Sequence, residues 1–401
     1  MTLETGAAQD IRISTTSWFD PFDPTLHADP YARYTAAREA GPVCDGPYGL
    51  TVLTRHHDIS AALRDNRLGH GRPTAENRIF SFLGQDPPAH GPLRRVAARF
   101  FSPSAVAALT PRIGGYVDEL VDRALDLGHL DLLADFAYPL SLRVICGLFA
   151  LPEEDHPWIR ERTPPIGRLL DPAYSISDAD KKAARSAAAG FVAYLLQQIE
   201  HRRHRPGDDV LSALIADTPD ALTRRDLIPM CALLLLAGYE TTANIIANSA
   251  LSLLRHPDEL ARARTRVRRG QLDRRAMDEL IRYDSSVQIT FRTVQEEAEL
   301  AGRRLEPGRP VALLLGSANR DPRVFPDPGR LDLDRSPNPH LSFGAGIHYC
   351  LGGPLARLEA GLALGRLLHR SRVLGLTDPQ PRHKDLTATI RGLAALPVSV
   401  A

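Results

Sequence analysis

Apolar positions recur at three- and four-residue intervals along most of the chain, the pattern of helices that turn one face to a core. On that basis helices are predicted from Asp29 to Ala40 (Pro30 in the first turn, Gly41-Pro42 as the stop) and from His57 to Arg64. Further helices are predicted over Pro92 to Phe101, Ser104 to Leu127, Leu132 to Phe149, Asp180 to His204 and Asp209 to Ala216. Alternation replaces that spacing at Tyr48 to Leu53 and again from Val287 to Leu315, where Ala301-Gly302 and Pro307-Gly308 supply turns, so strands are expected there.

The longest helical pattern, Thr223 to Arg255, would extend about 50 Å at 1.5 Å per residue. Thr223 with Asp226 forms a candidate capping box and His256-Pro257 a stop, while Pro229 requires that the helix start near it or bend there. Asp321 to Pro339 is a meander rich in Pro, Asp and Arg, and irregular segments of that length inside a domain are usually functional. A last helix, Pro354 to His369, carries Leu355, Leu358, Leu362 and Leu367. The fold class is therefore mainly α with a minor β component. A flexible segment over residues 1–17 followed by one domain over 18–401 fits best.

Composition narrows the function by exclusion. The 401 residues carry a formal net charge of +1, with 43% hydrophobic and 24% charged positions. No basic excess points to nucleic acid. Cys44, Cys146, Cys231 and Cys350 are scattered, which suits neither a zinc site nor a disulfide framework and fits a reducing compartment. Met1 to Asp20 shows no signal-peptide pattern, and the apolar run Leu227 to Ala237 is too short to span a bilayer. A cytoplasmic protein away from membranes is expected.

Chemistry concentrates in the stretch before the last helix. Gly344, Gly346, Gly352 and Gly353 surround Cys350, and glycines let a backbone approach a flat ligand closely. Exposed amides and a helix N-terminus stabilise a thiolate, and Pro354 suits the first helical turn. A lone cysteine is more often a small core residue. A thiolate held in this way also suits axial ligation of haem iron.

Two further motifs stand apart from that loop. Ala237-Gly-Tyr-Glu-Thr-Thr242 lies inside the long helix. There Gly238 costs about 1 kcal/mol against alanine, and Thr241 can bond back to the Ala237 carbonyl, loosening the ladder beside Glu240. Glu279-Leu-Ile-Arg282 places an acid and a base on one helix face, worth only ~0–1 kcal/mol if exposed.

The string Phe343, Gly344, Gly346, His348, Cys350, Gly352, Ala356 and Arg357 resembles the haem-binding loop of the cytochrome P-450 family. The likeness runs from about Trp18 to the C-terminus and takes in Ala318-Asn-Arg-Asp-Pro322 and His256-Pro257. It implies a single-domain cytochrome P-450 fold, with haem between the long central helix and the cysteine-loop helix. Cys350 would be the iron ligand, with Phe343, Gly344, Gly352, Ala237 and Gly238 around the cofactor. By the same resemblance Thr241 and Glu240 are catalytic, steadying bound oxygen and relaying protons. His90, Arg94, Arg292 and His348 would meet the haem propionates. Glu279 and Arg282 would be a buried pair completed by Arg330, holding the cysteine loop. The segment between Arg67 and Asp86 is shorter than is usual in the family, which puts substrate contacts there in doubt.

The implied activity is insertion of one oxygen atom from O2 into a small organic substrate, with haem b as cofactor and electrons ultimately from NAD(P)H. No flavin domain or Rossmann fingerprint is visible, so a ferredoxin and ferredoxin reductase are the expected partners of a monomer. Arg95 and Arg99 could form part of the docking face, or simply a solvated helix face. Phe80, Phe82, Leu83, Ile289, Thr290 and Ile390, with Ala237 and Thr241, are nominated for the substrate pocket. A helical region from Ile166 to Arg185 would form its lid, hinged at Pro164, Pro165 and Gly167. A secondary-metabolite tailoring hydroxylase or epoxidase is the expectation. Oxidative coupling, a carrier-protein-bound substrate and a haem sensor are the alternatives. The Glu240–Thr241 pair argues against the sensor, which has no need of proton delivery.

Overall fold

The computed structural model describes residues 18–71, 77–216, 224–384 and 387–401. Along the chain come α1 (Tyr31–Ala40), β1 (Val43–Asp45), β2 (Thr51–Leu53), α2 (His56–Ala62) and β3 (Leu68–Gly69). Then follow α3 (His90–Ala98), α4 (Pro103–Ala108), α5 (Thr110–Leu127), β4 (His129–Asp131), α6 (Tyr138–Leu148) and α7 (His156–Gly167). The central part holds α8 (Asp178–His204), α9 (Val210–Ala216), α10 (Arg224–Leu254), α11 (Pro257–Arg266) and α12 (Arg274–Tyr283). Strands β5 (Ile289–Val294), β6 (Ala298–Leu300), β7 (Arg303–Leu305) and β8 (Pro310–Leu314) precede the short α13 (Leu315–Ala318). The chain ends with α14 (Gly353–Arg370), β9 (Leu374–Leu376) and β10 (Pro397–Val400).

Helix α10 runs through the middle of the helical layer, packed on α6, α8, α12 and α14. The segment Asp226–Leu254 is apolar and long enough to cross a bilayer, yet 83% of its most apolar stretch is buried in the protein, which makes it a core helix. Pro229 lies inside it, in the second turn, rather than at its start. The Thr223 half of the expected capping box lies outside the described residues. Caps define other helices: the Asp273 carboxylate accepts from the amides of Arg275 and Ala276 to start α12, and Ser177 Oγ accepts from Asp180 to start α8.

Five strands form the main sheet in the order β1-β2-β8-β5-β3. β2 and β8 are parallel (Val52 opposite Ala312), while β5 is antiparallel to both β8 and β3, setting Gly69 opposite Thr293. This last pairing puts the segment after β3 beside Arg292. β4-β10-β9 make a second sheet, and β6 and β7 a hairpin turned at Ala301-Gly302, where both residues have positive φ. One apolar core fills the helical layer and a second lies under the main sheet.

The structure departs from the sequence pattern in several elements. The Tyr48–Leu53 strand shrinks to Thr51–Leu53, because Tyr48 and Gly49 take φ of 57° and 71°, which no strand accommodates. The helix expected over Ser104–Leu127 is broken at Leu109, and Leu132–Ala137 is a π-helical turn preceding α6. Ile166 to Arg185 is not one helical lid: it combines the end of α7, 3-10 turns at Arg168–Leu170 and Ala173–Ser175, and the start of α8. Pro172 separates the two turns, and proline disfavours helical backbone in the residue before it. Helix α7 absorbs Pro164 and Pro165. Helix α11 and strands β1, β3, β4, β9 and β10 were not foreseen. Those strands span only two to four residues, too few for periodicity to register.

Candidate active site

A cavity of about 560 Å³ separates α10 from the loop that precedes α14. Ala237, Gly238, Glu240 and Thr241 line one side, and Phe343, Gly344, His348, Cys350 and Gly352 line the other. The loop is shaped by its own backbone. Cys350 N donates to Phe343 O (2.8 Å), Gly344 N to Leu341 O (2.8 Å), and Tyr349 N to Gly346 O (3.1 Å). Gly346 has φ of 67°, and a Cβ there would lie 2.3 Å from Leu63 O, so only glycine lets the loop lie against α2's end.

Cys44, Cys146 and Cys231 are buried, whereas the Cys350 thiol opens onto the cavity. Enclosure by protein raises its pKa, while the amides of Gly352 and Gly353 and the guanidinium groups of Arg94 and Arg357 pull it back. Every group working against burial favours a thiolate.

Behind the loop, Glu279 and Arg282 form a pair with no side-chain exposure, joined by two hydrogen bonds of 2.7 Å. The third member is Arg335, not Arg330. Arg335 Nε lies 3.1 Å from both Glu279 oxygens, while the Arg330 side chain is exposed and only its carbonyl accepts from Arg282 and Arg335. Spacing could not separate two arginines of one meander; its path brings the later one inward. Arg282 also donates to Asn319 O (2.8 Å), Asn319 Oδ1 accepts from Leu341 N (2.7 Å), and Asn319 Nδ2 donates to Ser342 Oγ (2.9 Å). The ion pair is thus tied through Asn319 to the residues just before Phe343. A second clamp joins Asp278 to Arg357 (2.5 Å), whose guanidinium lies over the Phe343 ring; hydrogen bonding to His340 and to Arg357 holds the Asp278 carboxyl down at about 2 despite its burial.

At the edge of the cavity, polar groups collect. His348 stands 4.5 Å from the His90 ring and 4.7 Å from the His70 ring. Nε2 of His70, Nε2 of His90 and both ring nitrogens of His348 are buried with no hydrogen-bond partner among the described residues. Arg292 is buried too, and loss of solvent lowers its pKa to about 10. Arg94 donates to Tyr349 O. Burial and neighbouring positive groups depress the histidines, His90 to about 4. Asp86 is the carboxylate in their midst, donated to by His70 N (2.9 Å) and 3.8 Å from His348 Nε2. Unpaired ring nitrogens beside two guanidinium groups suit a ligand carrying carboxylates. The residues present therefore fit haem, with its thiolate ligand, flat cleft and two propionates. His90 itself packs behind His348 and Phe82 and does not line the cavity. His70 was missed, because an isolated histidine between two glycines carries no local signal. Only the β3–β5 pairing brings it here.

On α10, Thr241 Oγ donates to Ala237 O at 2.7 Å, as the sequence suggests. Gly238 also has a packing role, since a Cβ there would lie 2.8 Å from Ile145 Cδ1 on α6. Glu240 is 5% exposed, its Oε1 unpaired among the described residues, and burial raises its pKa against the pull of Lys384. Of the nominated pocket residues, Phe80, Phe82, Leu83, Thr290 and Ile390 line the cavity. Ile289 does not: it is buried in the core under the sheet, while Thr290 to Thr293 line the wall. Leu169, Tyr174 and Lys181 from the stretch 166–185, with Leu233 and Leu234 of α10, line the cavity as well.

A profile of the Cytochrome P450 family matches residues 169–397. The biotin biosynthesis cytochrome P450 of Bacillus subtilis (strain 168) is 35% identical over 387 residues, covering 92% of this chain and 96% of the relative. The chain belongs to the cytochrome P450 family. The mycinamicin IV hydroxylase/epoxidase of Micromonospora griseorubida is 36% identical over 390 residues, covering 91% of this chain and 94% of that P450. Among solved structures, P450BioI in complex with hexadec-9Z-enoic acid ligated acyl carrier protein superposes with a TM-score of 0.87 at 34% identity, covering 94% of this chain and 100% of that one. The chain is a P450 monooxygenase by fold and family, and the family uses haem iron and molecular oxygen.

Proposed function

We propose that this P450, as one domain over residues 18–401, holds haem b through Cys350 and oxidises a small organic substrate of secondary metabolism by hydroxylation or epoxidation. The observation that carries this is the Cys350 thiol opening onto the same cavity as Thr241 and Glu240. Bound haem would supply reductive activation of dioxygen, one oxygen atom going to substrate and the other to water with two electrons and two protons. The protein's part is placement and proton supply. Phe343, Gly344 and Gly352 form one wall for the cofactor and Ala237 and Gly238 the facing one. Arg94, Arg292, His348 and His70 would bind its carboxylates, with His90 packed behind His348. The Thr241 hydroxyl would turn from the Ala237 carbonyl into the cavity to orient a proton there, and Glu240 would replace that proton.

Electrons would come from NAD(P)H through a ferredoxin reductase and a ferredoxin, docked over exposed Arg95 and Arg99 in a cytoplasmic, monomeric enzyme. Apolar side chains dominate the distal wall, which favours a largely hydrocarbon substrate. A carrier-bound substrate is the second reading, favoured by the likeness to a P450 solved with an acyl-loaded carrier protein. Binding titrations with free and carrier-linked candidates separate the two.

The class is tested by the absorption spectrum of the reduced, carbon-monoxide-bound protein. A strongly red-shifted Soret band is expected; its absence in folded, haem-loaded protein would sink the proposal.

A further inference from the structure

Glu240, Asn244 and Asn248 follow one another at four-residue intervals on α10, about 6 Å apart along the axis, and so form one stripe. The stripe is buried and faces Arg391 and Gly392. Asn248 Nδ2 donates to Arg391 O (3.3 Å), a Cβ on Gly392 would lie 2.3 Å from Asn244 Oδ1, and Lys384 N donates to Gly392 O (2.8 Å). Glu240 Oε1, Asn244 Oδ1 and Asn248 Oδ1 accept no hydrogen bond among the described residues. A buried acceptor left so is costly, and one water between neighbours at this spacing would donate to both.

At the Glu240 end stands Lys384, which interacts electrostatically with Glu240 and, unlike it, is partly exposed. Its Nζ donates to Tyr138 Oη (2.5 Å), and the Tyr138 ring packs 5.4 Å from that of Tyr239, the neighbour of Glu240. The other titratable groups facing this pair are Arg160, over the Tyr138 ring at 5.2 Å, and Asp131.

We propose that Lys384 is the group that reprotonates Glu240 from solvent, through water held by Asn244. The inference rests on Glu240 serving Thr241 as described above. Each turnover takes a proton from the Glu240 carboxyl. The Lys384 ammonium then passes a proton through water to the carboxylate, and the resulting amine takes one from bulk solvent. No electrons move, and no net charge is left behind. Burial moves the two groups toward each other, raising the Glu240 carboxyl and lowering the Lys384 ammonium, which shrinks the uphill part of the transfer.

The test uses the full-length, haem-loaded enzyme with Glu240→Gln, Lys384→Met, Lys384→Arg and Asn244→Leu. Turnover is read with an ethoxycoumarin as probe substrate and a ferredoxin–reductase pair. The protonated Glu240 carboxyl is read as the infrared band lost in Glu240→Gln. Lys384→Met should move that band's titration midpoint upward, while Lys384→Arg, which keeps the charge, should leave it in place. Both should slow turnover roughly fivefold or more and enlarge its D2O effect with KM unchanged, because arginine does not give up its proton. Asn244→Leu, which fills the water position, should match Lys384→Met in rate. Lys384→Arg turning over like wild type would reduce Lys384 to a charge and overturn the relay alone. Glu240→Gln turning over like wild type would overturn the reading of Glu240 beneath it.

Discussion

Arg335 reaches Glu279 at 3.1 Å from five residues beyond Arg330, whose own side chain points to solvent. The two arginines therefore carry different energetic weight. Arg335→Ala leaves a buried carboxylate short of a charged donor and should cost roughly 1.5–3 kcal/mol. Arg330→Ala should stay within about 0.5 kcal/mol of wild type, because the contact comes from its carbonyl. Removing Glu279 itself strands two buried guanidinium groups and should cost about 3–5 kcal/mol. Urea unfolding of the three variants checks the order.

Glu359 on α14 is fully buried, with Ser141 Oγ at 2.5 Å as its partner, and burial pushes its carboxyl pKa up to about 8. A carboxyl raised in the folded state stabilises most below its unfolded pKa. That contribution declines as pH rises from about 4.5 toward 8. Glu359→Gln removes the decline, so the variant's thermal midpoint should gain on wild type as pH goes from 5 to 8, by the equivalent of at most about 5 kcal/mol. Thermal unfolding at several pH values would show the gap; a constant difference would mean the carboxyl is ionised throughout.

Two glycines of the cysteine loop should respond unequally to alanine. Gly344 and Gly346 both have positive φ, but a Cβ on Gly344 meets nothing nearer than 3.9 Å while one on Gly346 meets Leu63 O at 2.3 Å. Gly344→Ala should cost about 1 kcal/mol, and Gly346→Ala roughly 2–4 kcal/mol as strain and overpacking combine. The measurement is the fraction of purified protein showing the thiolate-type carbon monoxide spectrum, which should fall much further for Gly346→Ala.

Thr241→Ala deletes the hydroxyl that bonds Ala237 O and lines the cavity. Product formed per NAD(P)H should fall by roughly tenfold or more while peroxide rises, and Thr241→Ser should restore coupling. Unchanged coupling in the alanine variant would remove Thr241 from proton handling.

Residue order along the chain is enough to specify the helical fold class, the long central helix, the cysteine loop with its glycines, the Thr241 back-bond and the Glu279–Arg282 pair. Each is written in short-range spacing, where helical periodicity and loop chemistry act. Other features depend on chain paths between distant segments. Arg335 replaces Arg330 because the meander turns it inward. His70 joins His90 and His348 because β3 pairs with β5. Ile289 leaves the pocket because pairing with β8 buries the start of β5 in the core under the sheet. Lys384 interacts with Glu240, more than 140 residues earlier, because Arg391 and Gly392 pack on α10 and Lys384 bonds to Gly392. Contacts of that kind follow from how the elements pack against one another, and no local pattern of residues encodes them.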